Sequence, residues 1–358
     1  MLKPRFFIWP GKQLQGSFLA WRIAQVMVWF VGDGILFCLL FVPSVGIVLF
    51  WNILIPVAPA LLVVGTGVWR NICPLATTNL LPRHLGWSKR KKLTTKQLGI
   101  FNMAGVLALY AIVPLRHAIF NTNGIATAVL IISMAVVGVI LGFFYEWKSA
   151  WCSGLCPIHP VEKLYGGNVL ITVPNAHCDK CMNCVVPCPD STPNIHPKSS
   201  TKTIYHRISG LLIIGGLPGF IWGWFHVPDE SSITTRGKFI GVYEMPLLGL
   251  IVTIVIYGIL SAIIRSKFES RLTGFFAALG VSCYYWYRIP ALFGFGNFSA
   301  DGLLVNLRGT LSPYGILMAT IAAIIFFFYC LVIRKPNRKS WLVRPEYADK
   351  RERLRNKL

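Results

Sequence analysis

The chain has 358 residues, of which 54% are hydrophobic and only 13% are charged. A soluble domain is typically about one quarter charged, so the composition excludes an ordinary soluble protein and favours an integral membrane protein. The formal net charge of +22 could suggest nucleic-acid binding. The basic residues lie between long apolar runs, however, where they report topology and anionic headgroups. We expect a lipid bilayer around the chain and no nucleic-acid partner.

Apolar stretches, taken in chain order, predict about eight transmembrane helices, because about 20 apolar residues cross a bilayer. Their predicted limits are 21–42, 45–68, 98–118, 125–145, 205–226, 246–264, 272–294 and 312–333. The longest connection, between the fourth and fifth helices, is the only sizeable soluble piece. This segment, residues 146–204, is too short to hold much hydrophobic core, so a structural cofactor would help it to fold.

Basic residues are concentrated on alternate connections between these helices. The segments 1–17, 70–97, 146–207, 265–271 and 334–358 hold 29 of the 35 Lys and Arg residues. The positive-inside rule therefore predicts that both termini and the long connection are cytoplasmic. No small-residue cleavage site follows the N-terminal residues, so we expect no removable signal peptide. These features indicate a multi-pass protein of a bacterial inner (cytoplasmic) membrane.

The long connection contains a cysteine run with the spacing Cys-x2-Cys-x2-Cys-x3-Cys-Pro. Its cysteines are Cys178, Cys181, Cys184 and Cys188. This is the bacterial ferredoxin spacing for a [4Fe–4S] cluster, in which two-residue gaps let three thiolates reach three irons of one cubane. Structural zinc favours paired Cys-x2-Cys units separated by a longer loop. The run therefore predicts a [4Fe–4S] cluster.

Three further cysteines lie at predicted cytoplasmic ends of helices: Cys73, Cys152 and Cys156. In two-cluster ferredoxins the fourth cysteine of such a run serves the other cluster, so we expect either Cys156 or Cys188 to complete the first. The remaining one, with Cys73 and Cys152, would contribute to a second cluster. Seven cysteines are one short of two complete sets. A histidine, a carboxylate or a partner subunit could fill the gap, or there is one cluster and these three only pack.

The helix-terminal pattern Trp-Cys-x3-Cys-Pro at 151–157, followed by a ferredoxin run between membrane spans, resembles the NapH/NosR/CcoG group of membrane ferredoxin-type proteins. The resemblance covers about residues 65–200. It implies clusters on the cytoplasmic face and electron transfer between the quinone pool and a periplasmic reductase or a maturation pathway. The chain has one ferredoxin run, where NapH-like proteins typically carry two. It lacks the flavin-binding domain of NosR-like proteins and the soluble C-terminal domain of CcoG-like proteins, so the resemblance does not identify the partner.

The predicted fold is an all-α polytopic membrane protein with a small cytoplasmic ferredoxin-like iron–sulfur insert. The predicted regions are a first four-helix membrane half at 1–145, the insert at 146–204, a second four-helix half at 205–333 and a basic cytoplasmic tail at 334–358.

The predicted function is that of an electron-transfer subunit between a quinol pool or cytoplasmic donor and a partner redox protein or membrane complex, with quinone as a candidate ligand. Two alternatives are an accessory or maturation factor for a metalloenzyme client, and a transporter or structural subunit with a vestigial cluster. No catalytic residues stand out, so we expect a component of an oxidoreductase system and not a complete enzyme.

Several histidines are candidate ligands. His117 and His226 lie near predicted outer helix ends and could face each other across haem b, but interfacial histidines usually only form hydrogen bonds, so haem b is disfavoured. His159 and His177 flank the cysteines and are expected to tune or shield a cluster without ligating it.

Two other kinds of residue inside the predicted spans stand out. Asp33 lies mid-span between two glycines, where an uncompensated carboxylate is costly. It is expected to pair with a cation such as Arg288, or to serve in proton or quinone chemistry. Cys38, Cys283 and Cys330 lie inside spans and are expected to be small core residues.

Overall fold

The computed structural model describes residues 12–146, 148, 150–176, 203–227, 235–296, 302–334 and 342–343; for 12–18, 235–238 and 342–343 it describes the backbone alone. The ferredoxin run and most of the basic tail therefore lie outside the described residues.

The described residues are almost entirely helical. The α-helices are α1 (Lys12–Phe41), α2 (Pro43–Ile47), α3 (Ile55–Ile72), α4 (Pro74–His84), α5 (Thr95–Ile112), α6 (Gly124–Phe144), α7 (His159–Tyr165), α8 (Ile204–Leu211), α9 (Leu217–Phe225), α10 (Thr235–Ile263), α11 (Glu269–Leu292) and α12 (Pro313–Phe328). Short π-helical segments join or extend them at Val48–Leu54, Arg116–Phe120, Trp151–Leu155, Leu212–Gly216 and Tyr329–Ile333. Two 3₁₀ turns lie at Gly166–Asn168 and Ser266–Phe268. Two short strands, β1 (Val173–Pro174) and β2 (Leu342–Val343), pair in parallel.

Each predicted span falls on a helical segment, and the chain is an all-α protein with candidate membrane spans. Among the described residues, six helical runs are long and apolar enough to cross a membrane: Leu19–Phe41, Pro43–His84, Gly124–Phe144, Ile204–Phe225, Phe239–Ile263 and Pro313–Ile333. Helices α5 and α11 lie where spans were predicted but are more polar. Helix α5 begins with Thr95, Lys96 and Gln97, and α11 carries Arg271 and Arg288. The count of eight spans stays a prediction.

Helix α3 is interrupted at Gly65, whose backbone is not helical. The Val64 carbonyl next to this break accepts hydrogen bonds from the backbone N–H groups of Leu170 (3.0 Å) and Ile171 (2.8 Å). Within a membrane, irregular backbone is tolerated where other parts of the protein satisfy its polar groups. The segment that does so, residues 166–176, is called the strap below.

The strap is also tied to the end of the last helical run. The Asn168 side-chain amide donates to the carbonyls of Cys330 (2.9 Å) and Arg334 (3.1 Å), and Arg334 donates to the Val169 carbonyl (2.9 Å). Strand β1, which belongs to the strap, pairs with β2. The strap therefore links the middle of the chain to its C-terminal region.

Glycines allow several helices to pack with their backbones in contact. A methyl group on Gly219 of α9 would lie 1.9 Å from the Gly249 carbonyl oxygen on α10, and one on Gly249 would lie 2.1 Å from the Gly219 oxygen. A methyl group on Gly142 of α6 would lie 2.0 Å from the Asn79 carbonyl oxygen on α4. Small residues at such crossings are the usual means of close helix packing in membranes.

The first part of the predicted insert does not stand apart from the spans. Leu164 and Tyr165 of α7 belong to the same buried cluster as Val63, Phe220 and Phe276. Helix α7 thus enters the core of the helical bundle, and the cysteines just before it are held against the membrane helices.

Candidate functional site: cysteines at two Cys–Pro turns

Two cysteines occupy turns with the same local structure. Cys73 follows α3 with backbone angles φ −56° and ψ 121°, and Cys156 follows the π-helical turn Trp151–Leu155 with φ −57° and ψ 123°. Each precedes a proline, which disfavours the helical conformation in the residue before it. The pairs Cys73-Pro74 and Cys156-Pro157 therefore share one backbone conformation at the cysteine.

The described cysteines of the predicted site come together. Cys73 lies close enough to Cys152 and Cys156 for a thiolate there to raise the pKa of both of their thiols. The two chain segments that carry them are joined by the Lys148 ammonium, which donates to the Arg70 carbonyl (2.8 Å). The Arg70 guanidinium in turn lies 3.4 Å from the Cys152 carbonyl. Cys178, Cys181, Cys184 and Cys188 lie outside the described residues.

A buried polar network surrounds the Arg70 side chain. Its Nη1 donates to Glu162 Oε2 at 2.6 Å, and the two side chains are only 2% and 7% exposed. Its Nη2 donates to Ser153 Oγ at 3.3 Å. Such a pair keeps its charges in a buried setting only because each charge has a partner.

Burial and charge act in opposite directions on the thiols. Burial raises the pKa of the Cys152 thiol to about 12, while the charges of Lys148 and Arg70 act to lower it. Burial, followed by the negative charge of Glu162, raises the pKa of the Cys156 thiol well above its ordinary value. Lys148 and Arg70 therefore favour a thiolate at Cys152, whereas burial and the charge of Glu162 oppose one at Cys156.

His159 lies at the start of α7, directly after the second Cys–Pro turn. It is 0% exposed, and its Nδ1 lies 3.4 Å from Glu162 Oε2 and 3.4 Å from Arg70 Nη1. Burial lowers the pKa of His159 to about 3, so its ring is neutral. Burial alone would raise the pKa of Glu162, but the charge of Arg70 and the contact with His159 hold it below its ordinary value.

The strap brings the chain back to this site just before the ferredoxin run begins. The Asn71 side chain donates to the Pro174 carbonyl (2.8 Å) and accepts from the Ala176 backbone N–H (3.1 Å). The Arg22 guanidinium lies 3.4 Å from the Ala176 carbonyl, and Gln25 donates to the Asn71 carbonyl (2.8 Å). Helices α1 and α3 thus fix the point from which the ferredoxin run departs.

Within the described ranges, no three or more Cys, His, Asp or Glu side chains are gathered as ligands of a single metal ion. A cubane cluster has a different requirement, because its ligands attach to separate irons. Three partly exposed thiols beside a buried, positively charged network are compatible with part of such a ligand set.

The expected pair between Asp33 and Arg288 is wrong. Arg288 donates to the Trp51 carbonyl (3.0 Å) and to Asn52 Oδ1 (2.8 Å). Asp33 is exposed on the surface of α1. The two side chains do not meet because Arg288 faces the π-helical segment Val48–Leu54, which lies directly before α3.

The other singled-out side chains have ordinary surroundings. His117 Nε2 lies 3.0 Å from the Trp224 carbonyl, and His226 Nδ1 lies 2.8 Å from the Trp222 carbonyl. Cys330 is fully buried, as expected of a core residue, whereas Cys38 and Cys283 are partly exposed.

Arg70, Lys148 and Glu162 were not predicted as site residues. The sequence does carry a signal for the two cations, since Arg70 lies three residues before Cys73 and Lys148 lies four residues before Cys152.

Comparison of the chain with protein-family models, curated proteins and solved structures found no match. The resemblance to membrane ferredoxin-type proteins therefore rests on the cysteine pattern.

Proposed function

We propose that the chain is a membrane-bound electron-transfer subunit of the membrane ferredoxin type. At least one [4Fe–4S] cluster is held by Cys178, Cys181 and Cys184 and completed by Cys156 or Cys188. The subunit relays electrons between a quinol pool or a cytoplasmic donor and a partner redox protein. The observation that carries the proposal is the meeting of two equivalent Cys–Pro turns in one buried cationic site, at the point where the strap leads into the ferredoxin run.

The charges of the site suit a cluster with thiolate ligands. Such a cluster is anionic, and a buried anion needs compensating charge or hydrogen bonds. Arg70 and Lys148 supply positive charge beside the thiols, and Glu162 balances part of it. Backbone N–H groups of Leu75 and Ala76 also face the Cys73 sulfur. The donor types and the charge balance therefore both fit an iron–sulfur centre.

Chain connectivity supports a shared site for the ferredoxin run and the helix-terminal cysteines. A chain advances by at most about 3.6 Å per residue, so Cys178 can lie no more than about 7 Å from Ala176. Ala176 is hydrogen-bonded to Asn71, which lies two residues before Cys73. The run would therefore begin beside the end of α3.

When bound, a [4Fe–4S] cluster takes up and releases one electron at a time, so a quinol donor would deliver its two electrons in two steps and release two protons. The chain's own residues would hold the centre and exclude water from it. The positive charges of Arg70 and Lys148 would favour the more negative, reduced form and so raise the reduction potential. The buried helix α7 would separate the thiols from the lipid.

We place the chain in a bacterial inner membrane with both termini and the cysteine site on the cytoplasmic side. The distribution of Lys and Arg supports this orientation. Helices α5 and α11 would complete eight spans. An even number of spans agrees with termini on one side.

The test is metal and sulfide analysis combined with EPR and electron flux. We expect about four or eight irons per chain in the purified protein and a reversible EPR signal on reduction, since each cubane holds four irons. Cys181→Ala should lose at least one cluster and the flux to the partner. Cys38→Ala, a cysteine away from the site, should keep both.

Wild-type protein without iron, or full electron flux in Cys181→Ala, would contradict the proposal. A client enzyme that stays active after this chain is removed would point to a maturation role instead.

A further inference from the structure

One nitrogen of the buried His159 ring is engaged and the other is open. Nδ1 lies 3.4 Å from both Glu162 Oε2 and Arg70 Nη1. Nε2 is buried and has no hydrogen-bond partner among the described residues. Buried polar atoms nearly always have a partner, so the open nitrogen points to a ligand.

The contacts of Nδ1 favour a ring that can bind metal. A carboxylate beside one ring nitrogen fixes the proton there and leaves a lone pair on the other, as in many metal-binding histidines. Arg70 is already paired with Glu162 at 2.6 Å. Glu162 Oε2 is thus the natural acceptor for an Nδ1 proton, and Nε2 is the natural donor atom to a metal.

The ring belongs to the same site as the described cysteines. The His159 backbone N–H donates to the Cys156 carbonyl at 3.1 Å. One Arg70 nitrogen lies 3.4 Å from His159 Nδ1 and 3.4 Å from the Cys152 carbonyl. A single guanidinium therefore spans the distance between the imidazole and the Cys152 turn.

We propose that His159 Nε2 is the fourth ligand of a second [4Fe–4S] cluster, whose other ligands are Cys73, Cys152 and Cys156. Cys188 then completes the first cluster. This inference rests on the proposed function and completes its ligand count, since seven cysteines and one histidine make two sets of four. It replaces the sequence-based expectation that His159 only tunes or shields a cluster. An imidazole ligand carries one negative charge less than a thiolate, and histidine ligation raises the potential of iron–sulfur centres.

The first experiment needs no variant. Reduced wild-type protein is examined by pulsed EPR with natural-abundance and with ¹⁵N-labelled histidine. We expect a strong nitrogen coupling, of the size seen for a directly bonded ligand, that changes with the isotope. A weak coupling would mean that Nε2 only donates a hydrogen bond to the cluster, and the ligand assignment would be wrong.

Substitutions then assign the coupling to this residue. His159→Ala should lower the iron content from about eight to about four per chain and abolish the strong coupling. His159→Cys should keep about eight irons, lack the coupling and show a lower midpoint potential. His226→Ala, which removes a histidine away from the cysteine site, should keep the iron, the coupling and the potential.

The outcomes separate this inference from the proposed function. Wild-type protein with about four irons, or His159→Ala with unchanged iron and coupling, overturns the ligand assignment and leaves the electron-transfer proposal intact. Wild-type protein without iron overturns both.

Discussion

At the scale of single residues, the buried charges beside the cysteines define the candidate site. Arg70 and Glu162 form a 2.6 Å ion pair with almost no exposure, and the Lys148 side chain is 1% exposed. Removing one partner of a buried pair is far more harmful than removing both, because the remaining charge is left without compensation. The site therefore depends on the pairing as much as on the cysteines.

Arg70→Met should destabilise the protein strongly. Glu162 would remain buried without its partner, and breaking such a pair typically costs about 3–5 kcal/mol. The measurement is the unfolding of purified protein in detergent. Arg90→Met, in an exposed loop, should change stability by less than about 0.5 kcal/mol.

The double variant Arg70→Met with Glu162→Leu should recover most of the lost stability, because no charge is left buried. If the single Arg70 variant is as stable as the Arg90 variant, the ion pair does not support the fold.

Local spacing led to a cysteine site that stays a prediction, and the buried charges beside the cysteines were not predicted. The spacing singled out Cys73, Cys152 and Cys156, and the structure brings them together. Arg70 and Lys148 were assigned to membrane topology, because cytoplasmic basic residues are expected for that reason alone. Their positions three and four residues before Cys73 and Cys152 are a local signal that this assignment overlooked.

At the scale of helices, α9 and α10 pack with their backbones in contact. Gly219 and Gly249 lie so close that a methyl group on either would meet the other's carbonyl oxygen. Contacts of this kind fix the distance between helices, since a carbonyl cannot move aside as a side chain can.

Gly249→Ala should force α9 and α10 apart. We expect a loss of about 1–3 kcal/mol, as for other overpacked sites, measured as a lower unfolding temperature in detergent. Gly258→Ala in the same helix is the matched control, because nothing lies within 4 Å of a methyl group there.

Alanine is a better helix former than glycine by about 1 kcal/mol, so the Gly258 variant should be as stable as the wild type or more so. Equal stability of the two variants would show that the Gly219–Gly249 contact is not tight.

Helix positions were largely predictable from apolar runs, and the differences have local causes. Helix α10 begins at Thr235, before the predicted start at Pro246, because the helix continues through that proline. Helix α3 continues past the predicted end at residue 68 to Ile72. The break at Gly65 was not foreseen, because it depends on the strap, which comes from a distant part of the sequence.

At the scale of the whole molecule, the orientation in the membrane decides which face carries the cysteine site. Helices α5 and α11 are the test of the topology, since they are helical but more polar than the six candidate spans. If both cross the membrane, the two ends of each lie on opposite sides.

Reporter fusions can measure this directly. Fusions after Arg90 and Lys267 should be active for a cytoplasmic reporter, and fusions after Thr122 and Gly309 for an extracytoplasmic one. This alternation follows from the positive-inside rule applied to eight spans. If fusions after Arg90 and Thr122 report the same side, α5 does not cross and the eight-span topology is wrong.

The fold class could be predicted from composition, because apolar length alone indicates membrane helices. The arrangement of the site could not. Asn71 and Ala176 are separated by 105 positions, and Arg70 and Glu162 by 92. Contacts between such distant residues are set by how the helices pack, which no short sequence window contains.

The strap also sets an order of events during synthesis. Its Asn168 amide binds the carbonyl of Arg334, 166 positions later in the chain. At about 5–20 residues per second, the ribosome needs on the order of 10 to 30 s to make the intervening chain. Cys152 and Cys156 are therefore made well before Arg334, whose carbonyl helps to hold the strap. For the proposed cluster, this order means that the contact between the strap and Arg334 forms only after both thiols have been made.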